Sequence, residues 1–269
     1  MNSGPIVPFL ITARLSSVRL PKKLLRELDG TEVVSKVIER GIKAFGADRV
    51  VLCTSPLASD EELVHVSERH GIQVHRGHPM DILLRLCGAC RERKAMGFVG
   101  QTGENPIFQL DHCLRMRDLI LEGADLVRVT GLPIGCSPYA ISRAALETIL
   151  ALKEEEDTGF WGYFLNRPEL FNVVMFEAGA DLYLPEMRLT VDYPEDLELM
   201  RAIFALHPGV PDLKDVVATL KGSPNLRAIN AMRSQGDLDP EAKERIADFF
   251  QRRSTSIRQE LEVQRARIW

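Results

Sequence analysis

The sequence has no long hydrophobic run. No stretch reaches the roughly 18 apolar residues of a membrane span, and the run at residues 6–11 is too short for the core of a signal peptide. A basic excess is missing as well. The net charge of −4 gives no global field that would favour nucleic acid. Cysteines are few and odd in number: Cys53, Cys87, Cys90, Cys113 and Cys136. Without an export signal, that count argues for reduced thiols rather than a disulfide framework. Cys87-Gly88-Ala89-Cys90 has C-x-x-C spacing, but it has no second pair and falls inside a predicted helix, so it reads as core packing. His65, His70, His75, His78, His112 and His207 form no set with metal-ligand spacing. Aromatics make up only 6%, and several gather at Phe160-Trp161-Gly162-Tyr163-Phe164. No repeat or low-complexity tract is present. These absences lead to the expectation of a soluble, cytoplasmic protein with neither nucleic acid nor membrane as partner.

What is present is a regular alternation. Apolar residues make up 45% of the 269 residues, enough for one large α/β domain with an appended arm. Short apolar runs at residues 6–11, 49–53, 72–74, 97–99 and 126–129 predict strands. Between them, Val33, Val34, Val37, Ile38 and Ile42 recur at helical spacing, and helices are predicted over 60–70, 80–95 and 114–121. Such βαβ order implies a doubly wound, mainly parallel sheet with helices on both faces. Its ligand is expected beyond the carboxyl ends of the strands. The pattern loosens over 132–185, which reads as an insertion serving an acceptor or a dimer contact. Sheet character is expected again at 173–176 and 187–191, then a helix from Pro194. The main domain is expected to cover 1–208. Beyond the break at Pro208-Gly209, residues 209–269 read as a helical C-terminal extension. Its apolar stripe of Ile246, Phe249, Phe250, Ile257 and Leu261 suits packing on its own domain or on a symmetric partner.

Three segments could carry chemistry. The first is Ala13-Arg14-Leu15-Ser16-Ser17-Val18-Arg19-Leu20-Pro21-Lys22-Lys23, directly after the first strand. Its cations repel one another unless an anion neutralises them, and at this place in such a fold the anion to expect is a phosphate chain. The second is Gln101-Thr102-Gly103-Glu104-Asn105-Pro106, where Glu104 puts a carboxylate at a strand end that could hold Mg²⁺. The third is Thr190-Val191-Asp192-Tyr193-Pro194-Glu195-Asp196-Leu197, where Asp192 could be a second metal ligand. Each has a plainer alternative: a solvated basic turn, an ordinary strand-to-helix turn, and a helix cap. For Asp192, spacing alone favours the cap.

Together, Ala-Arg-x-x-Ser-x-Arg-Leu-Pro-x-Lys, Thr-Gly-Glu-Asn-Pro and Thr-Val-Asp-x-Pro-Glu-Asp-Leu resemble the cytidylyltransferase family of sugar-acid activating enzymes. That family contains the CMP-sialate and CMP-3-deoxy-manno-octulosonate synthetases. The pattern is most like its spore coat polysaccharide biosynthesis branch, and the resemblance covers about residues 6 to 206. It implies a fold of the nucleotide-diphospho-sugar transferase type and CTP as substrate. Ala13, Arg14, Ser17, Arg19, Lys23 and Thr102 would bind the nucleotide, with Arg14 and Lys23 as the catalytic cations. Glu104 and Asp192 would hold Mg²⁺. CMP would pass to a sugar acid or another small anionic acceptor with release of pyrophosphate, for a surface glycan, and the enzyme would be a homodimer.

The chain departs from the family in three places: Glu104 stands where an Asp is usual, Tyr139 where the branch has Glu, and residues 157–163 lack a His. These departures leave two rivals open. One is a nucleotide-binding homologue without turnover. The other is a glycosyltransferase on the same fold, for which Asp237-Leu238-Asp239 is the sole Asp-x-Asp triplet.

Overall fold

The first strand begins late because of a proline. Pro8 has no N–H to give a ladder, so β1 is Phe9–Thr12, although the carbonyls of Ile6 and Pro8 already accept from Met96 and Val99. The computed structural model describes residues 5–268. After β1 and the basic loop comes a hairpin of β2 (Glu27–Leu28) and β3 (Thr31–Glu32). Its two-residue turn, Asp29-Gly30, has positive φ at both positions, as a primed hairpin turn needs. There follow α1 (Val33–Phe45), β4 (Val50–Thr54), α2 (Glu61–Arg69), β5 (Gln73–Arg76), α3 (Ile82–Glu92) and β6 (Gly97–Thr102). Next are α4 (Leu110–Leu121), β7 (Leu126–Thr130), β8 (Tyr139–Ser142), α5 (Arg143–Leu152), α6 (Gly162–Leu165) and β9 (Val173–Glu177). The chain ends with α7 (Pro194–Leu206), α8 (Leu213–Gly222), α9 (Pro224–Ala228) and α10 (Pro240–Ile268).

Seven strands form one sheet in the order β5-β4-β1-β6-β8-β7-β9. β8 runs antiparallel to both neighbours, β6 and β7, while the other pairings are parallel. This is the doubly wound, mainly parallel architecture expected from the alternation. Side chains alternate across it with period two. Phe9 and Ile11 face one layer with α1, α4, α7 and α8, and Leu10 faces the other with α3, α5, α6 and α10. Both sides of β1 are therefore dry, which is why it reads as a continuous apolar run.

Two expectations change. The span 132–185 holds, besides the expected strand at 173–176 (β9, at the sheet edge), an unexpected one, β8, near the middle of the sheet. β8 has four residues, all buried, too few to show a period. The strand expected at 187–191 does not form; one isolated bridge, Ile134 to Arg188, is all that appears there. Arg188 is the residue that makes this bridge, and its guanidinium is drawn inward to Asp192 and Asp196.

The five cysteines are free and buried, and burial pushes their thiols up, Cys53 to about 12. That fits packing rather than redox or metal chemistry. The stripe on α10 packs on its own domain, where Ile257 and Leu261 join the layer that contains Ala145 and Ile149 of α5. Among the described residues no helix is long and apolar enough to cross a membrane.

Ile257 is fully buried on α10, so Ile257→Ala should cost about 2–5 kcal/mol. Urea denaturation of the full chain checks this. A cost below about 0.5 kcal/mol would mean that α10 does not share the core.

Candidate active site

Three loops meet at the carboxyl ends of β1 and β6, and backbone hydrogen bonds hold them there. Gly103 N–H donates to the Thr12 carbonyl at 2.8 Å, Ala13 N–H to the Cys53 carbonyl at 3.1 Å, and Val191 N–H to the Glu104 carbonyl at 3.0 Å. The last bond joins the segment of Glu104 to that of Asp192, which spacing alone could not do. A cleft of about 440 Å³ opens above, lined by Ala13, Arg14, Ser17, Arg19, Lys23, Thr102 and Glu104. Asp192 stands behind this lining, in contact with Arg19 and Lys23. All eight residues singled out from the sequence are thus brought together.

Asp192 is the hub. Its Oδ1 accepts from Lys23 Nζ at 2.7 Å and from an Arg19 guanidinium nitrogen at 2.9 Å. Its Oδ2 accepts from Arg188 at 3.1 Å. Burial alone would raise this carboxyl, yet Lys23, Arg19 and Arg188 hold it below the ordinary carboxylate range. Spacing favoured Asp192 as the cap of α7, but Asp196 takes that role. Asp196 Oδ2 accepts the backbone N–H groups of Asp192 and Tyr193, each at 3.0 Å. The Asp192 carboxylate is therefore free to face the cations. Arg188 is itself held by Asp196 and by the Gln235 side chain at 2.8 Å.

The basic loop divides its charges through one strained residue. Lys22 sits at φ 52, in the left-handed region that costs a non-glycine residue on the order of 1 kcal/mol. Lys22 reaches outward to Glu62, while Lys23 is buried against Asp192. At the other end of the loop, Asp60 accepts Leu15 N–H at 2.7 Å, and its second oxygen takes the Ser55 hydroxyl and Arg14 Nε. This carboxylate fixes the first turn of the loop.

The cleft floor holds a further cation that the sequence motifs did not reveal. Arg85 of α3 is 2% exposed, its Nε has no partner among the described residues, and its other contacts are the carbonyls of His78 and Pro79. An arginine keeps its charge even here, so the floor presents an uncompensated cation. The available signal was its place between Leu83 and Leu86 on an otherwise apolar helix face.

The donor set fits a hard divalent cation. Glu104 Oε1 and Asp192 Oδ1 converge on one point, now taken by Lys23 Nζ at 3.4 and 2.7 Å. Among the described residues no cluster of three or more His, Cys, Asp or Glu could hold a metal. Two carboxylates completed by phosphate oxygens and water is the habit of Mg²⁺.

Asp192→Asn removes the charge that neutralises three cations, and about 1–3 kcal/mol of stability should go with it at neutral pH. Because the carboxyl is held low in the folded state, this advantage is fully present above the unfolded value of about 3.9 and fades as pH falls below it. Urea midpoints of both proteins between about pH 3 and 7 test this. A pH-independent difference would leave Asp192 a packing residue.

A family model described as cytidylyltransferase matches residues 8–205. The spore coat polysaccharide biosynthesis protein SpsF of Bacillus subtilis is 26% identical over 231 residues, 81% of this chain and 95% of that one. A 3-deoxy-manno-octulosonate cytidylyltransferase of Chlorobium phaeobacteroides is 23% identical over 85% of this chain and 89% of its own. A solved cytidylyltransferase from Leptospira borgpetersenii superposes with a TM-score of 0.76 at 21% identity, covering 88% of this chain and all of that one. With the three motif loops gathered at one cleft, the chain belongs to the cytidylyltransferase family and is a nucleotidyltransferase.

Proposed function

We propose that the protein transfers CMP from CTP to a small anionic acceptor, a sugar acid by the likeness to its relatives, with release of pyrophosphate. The observation that carries this is the pair of carboxylates, Glu104 and Asp192, converging on Lys23 beneath a cleft that also holds Arg14, Arg19 and Arg85. Four cations beside two acids suit a polyphosphate with a bound cation and suit few neutral ligands.

In this reading Arg14, Ser17, Arg19 and Lys23 take the triphosphate oxygens, with the backbone around Ala13 and Thr102 against the nucleoside. Asp60 orients Arg14, and Arg188 orients Asp192. Lys23 lies between the site's two carboxylates and follows the phosphate charge as it moves toward the leaving pyrophosphate. Mg²⁺ held by Glu104 and Asp192 would supply Lewis-acid polarisation of the phosphoryl oxygens. The rest is positioning: the acceptor oxygen and the leaving oxygen must lie in line across the α-phosphorus. Glu104, one methylene longer than Asp, can still reach the point that Lys23 occupies.

One observation favours a second reading, nucleotide binding without turnover. Asp192 Oδ1 already carries two cationic partners, Arg19 and Lys23, and a metal at the point where Glu104 converges would displace Lys23. Pyrophosphate release decides between the two. The protein with CTP, Mg²⁺ and a panel of keto-deoxy sugar acids should release pyrophosphate with at least one acid. CTP binding without release from any of them would leave a nucleotide-binding homologue.

Arg19→Ala should weaken CTP binding by about 1.5–3 kcal/mol, roughly 10- to 150-fold, as isothermal titration would show. Unchanged affinity would remove Arg19 from the phosphate set.

A further inference from the structure

An in-line transfer needs space for the acceptor beside the nucleotide cleft. Two cavities adjoin that cleft, and Gly159 lines all three. The smaller, about 240 Å³, is bordered by Glu155, Asp157 and Asp239 against a single Arg245, so it repels an anion. The larger, about 760 Å³, is bordered by Arg128, Arg167 and Lys243 with no acidic side chain in its wall, and by Trp161, Tyr163 and Gln235.

We infer that this larger cavity is the acceptor site, that it takes an anion with a ring or polyol face, and that the C-terminal extension builds one of its walls. The inference rests on the reading that CTP occupies the first cleft. Arg128 projects from β7 and has neither hydrogen bond nor ion pair among the described residues. Arg167 has a carbonyl, that of Tyr163, and the ring face of Phe250 as its partners, so its charge is not cancelled. Lys243 is shared with Asp237, which also accepts from the Tyr163 hydroxyl at 2.7 Å. Asp237 therefore ties the extension to α6. Arg128 is exposed and Arg167 half-buried, and neither has a carboxylate partner among the described residues, so this wall offers net positive charge to an anion.

The apolar side is equally built. Trp161 packs on Tyr139 with ring centroids 4.3 Å apart, and Tyr139 lies across β6 at Gly100, where an added Cβ would meet its ring at 2.8 Å. The indole is thereby fixed relative to β6, whose following turn carries Glu104. A fixed aromatic face beside cations suits the C–H face of a sugar acid. Gln235 joins the two halves, lining this cavity while accepting from Arg188, the partner of Asp192.

The test uses Trp161 as its own reporter. The sequence has two tryptophans, so Trp269→Phe leaves Trp161 alone. With CTP and Mg²⁺ present, 3-deoxy-manno-octulosonate and N-acetylneuraminate are titrated separately, with glucose as the neutral control. At least one acid should change Trp161 emission saturably and glucose should not. Arg128→Gln and Arg167→Gln should each raise the midpoint at least tenfold, while CTP affinity, measured by equilibrium dialysis, stays within twofold. Intact CTP binding with no Trp161 response to either acid overturns the cavity assignment alone, as does a response unchanged in both variants. Failure of CTP to bind overturns the reading on which the assignment rests.

Discussion

One buried carboxylate organises this molecule's functional end. Asp192 sits where three cations from two parts of the chain converge: Lys23 and Arg19 from the loop after β1, and Arg188 from the segment before α7. An uncompensated carboxylate at that depth would be costly, and so would three uncompensated cations. Each makes the other tolerable. The same lysine ties the second motif in, since Lys23 Nζ at 2.7 Å from Asp192 also lies 3.4 Å from Glu104. The cluster is also poised. A polyphosphate offers the cations a new partner, and a divalent metal offers the carboxylates one, so the two ligands suit each other more than either suits the apo cluster.

The same cluster couples the two ends of the chain. Arg188 reaches Asp196 and Gln235 as well as Asp192, and Asn230 bridges the Arg188 carbonyl to Asp196. The stretch after α9 is thereby wired to the carboxylate at the heart of the cleft. α10 then returns across α5 and contributes Lys243 to the neighbouring cavity. The extension lies beyond the part matched by the family model, which ends at residue 205, yet it shares polar contacts with the matched part.

Much of this was legible in the sequence. The βαβ alternation located β1, β4, β6 and β7; the first three are buried on both faces and carry near-continuous apolar runs, whereas β7 exposes Arg128 and Thr130. The motifs named Arg14, Arg19, Lys23 and Glu104 of the cleft lining and Asp192 behind it, but not Arg85. What could not be read has physical causes. β8 is four residues long and belongs to no period. The run at 187–191 has the composition of a strand, but Arg188 within it answers to carboxylates that lie elsewhere. Asp192 and Asp196 both suit a helix cap, and their division of labour is decided by which cations stand nearby, a tertiary fact. Arg85 looks like an error in an apolar helix face until the cleft above it is seen.

The bond between Lys23 and Asp192 spans 169 positions of sequence. A ribosome must therefore emit most of the chain before the two can meet, and loop closure of that length is slow. Until then Arg19 and Lys23 lack the carboxylate they share, whereas Arg14 and Lys22 find Asp60 and Glu62 much earlier in the chain. The charges of this loop are thereby paired in two stages, one local and one that waits for the distant carboxylate.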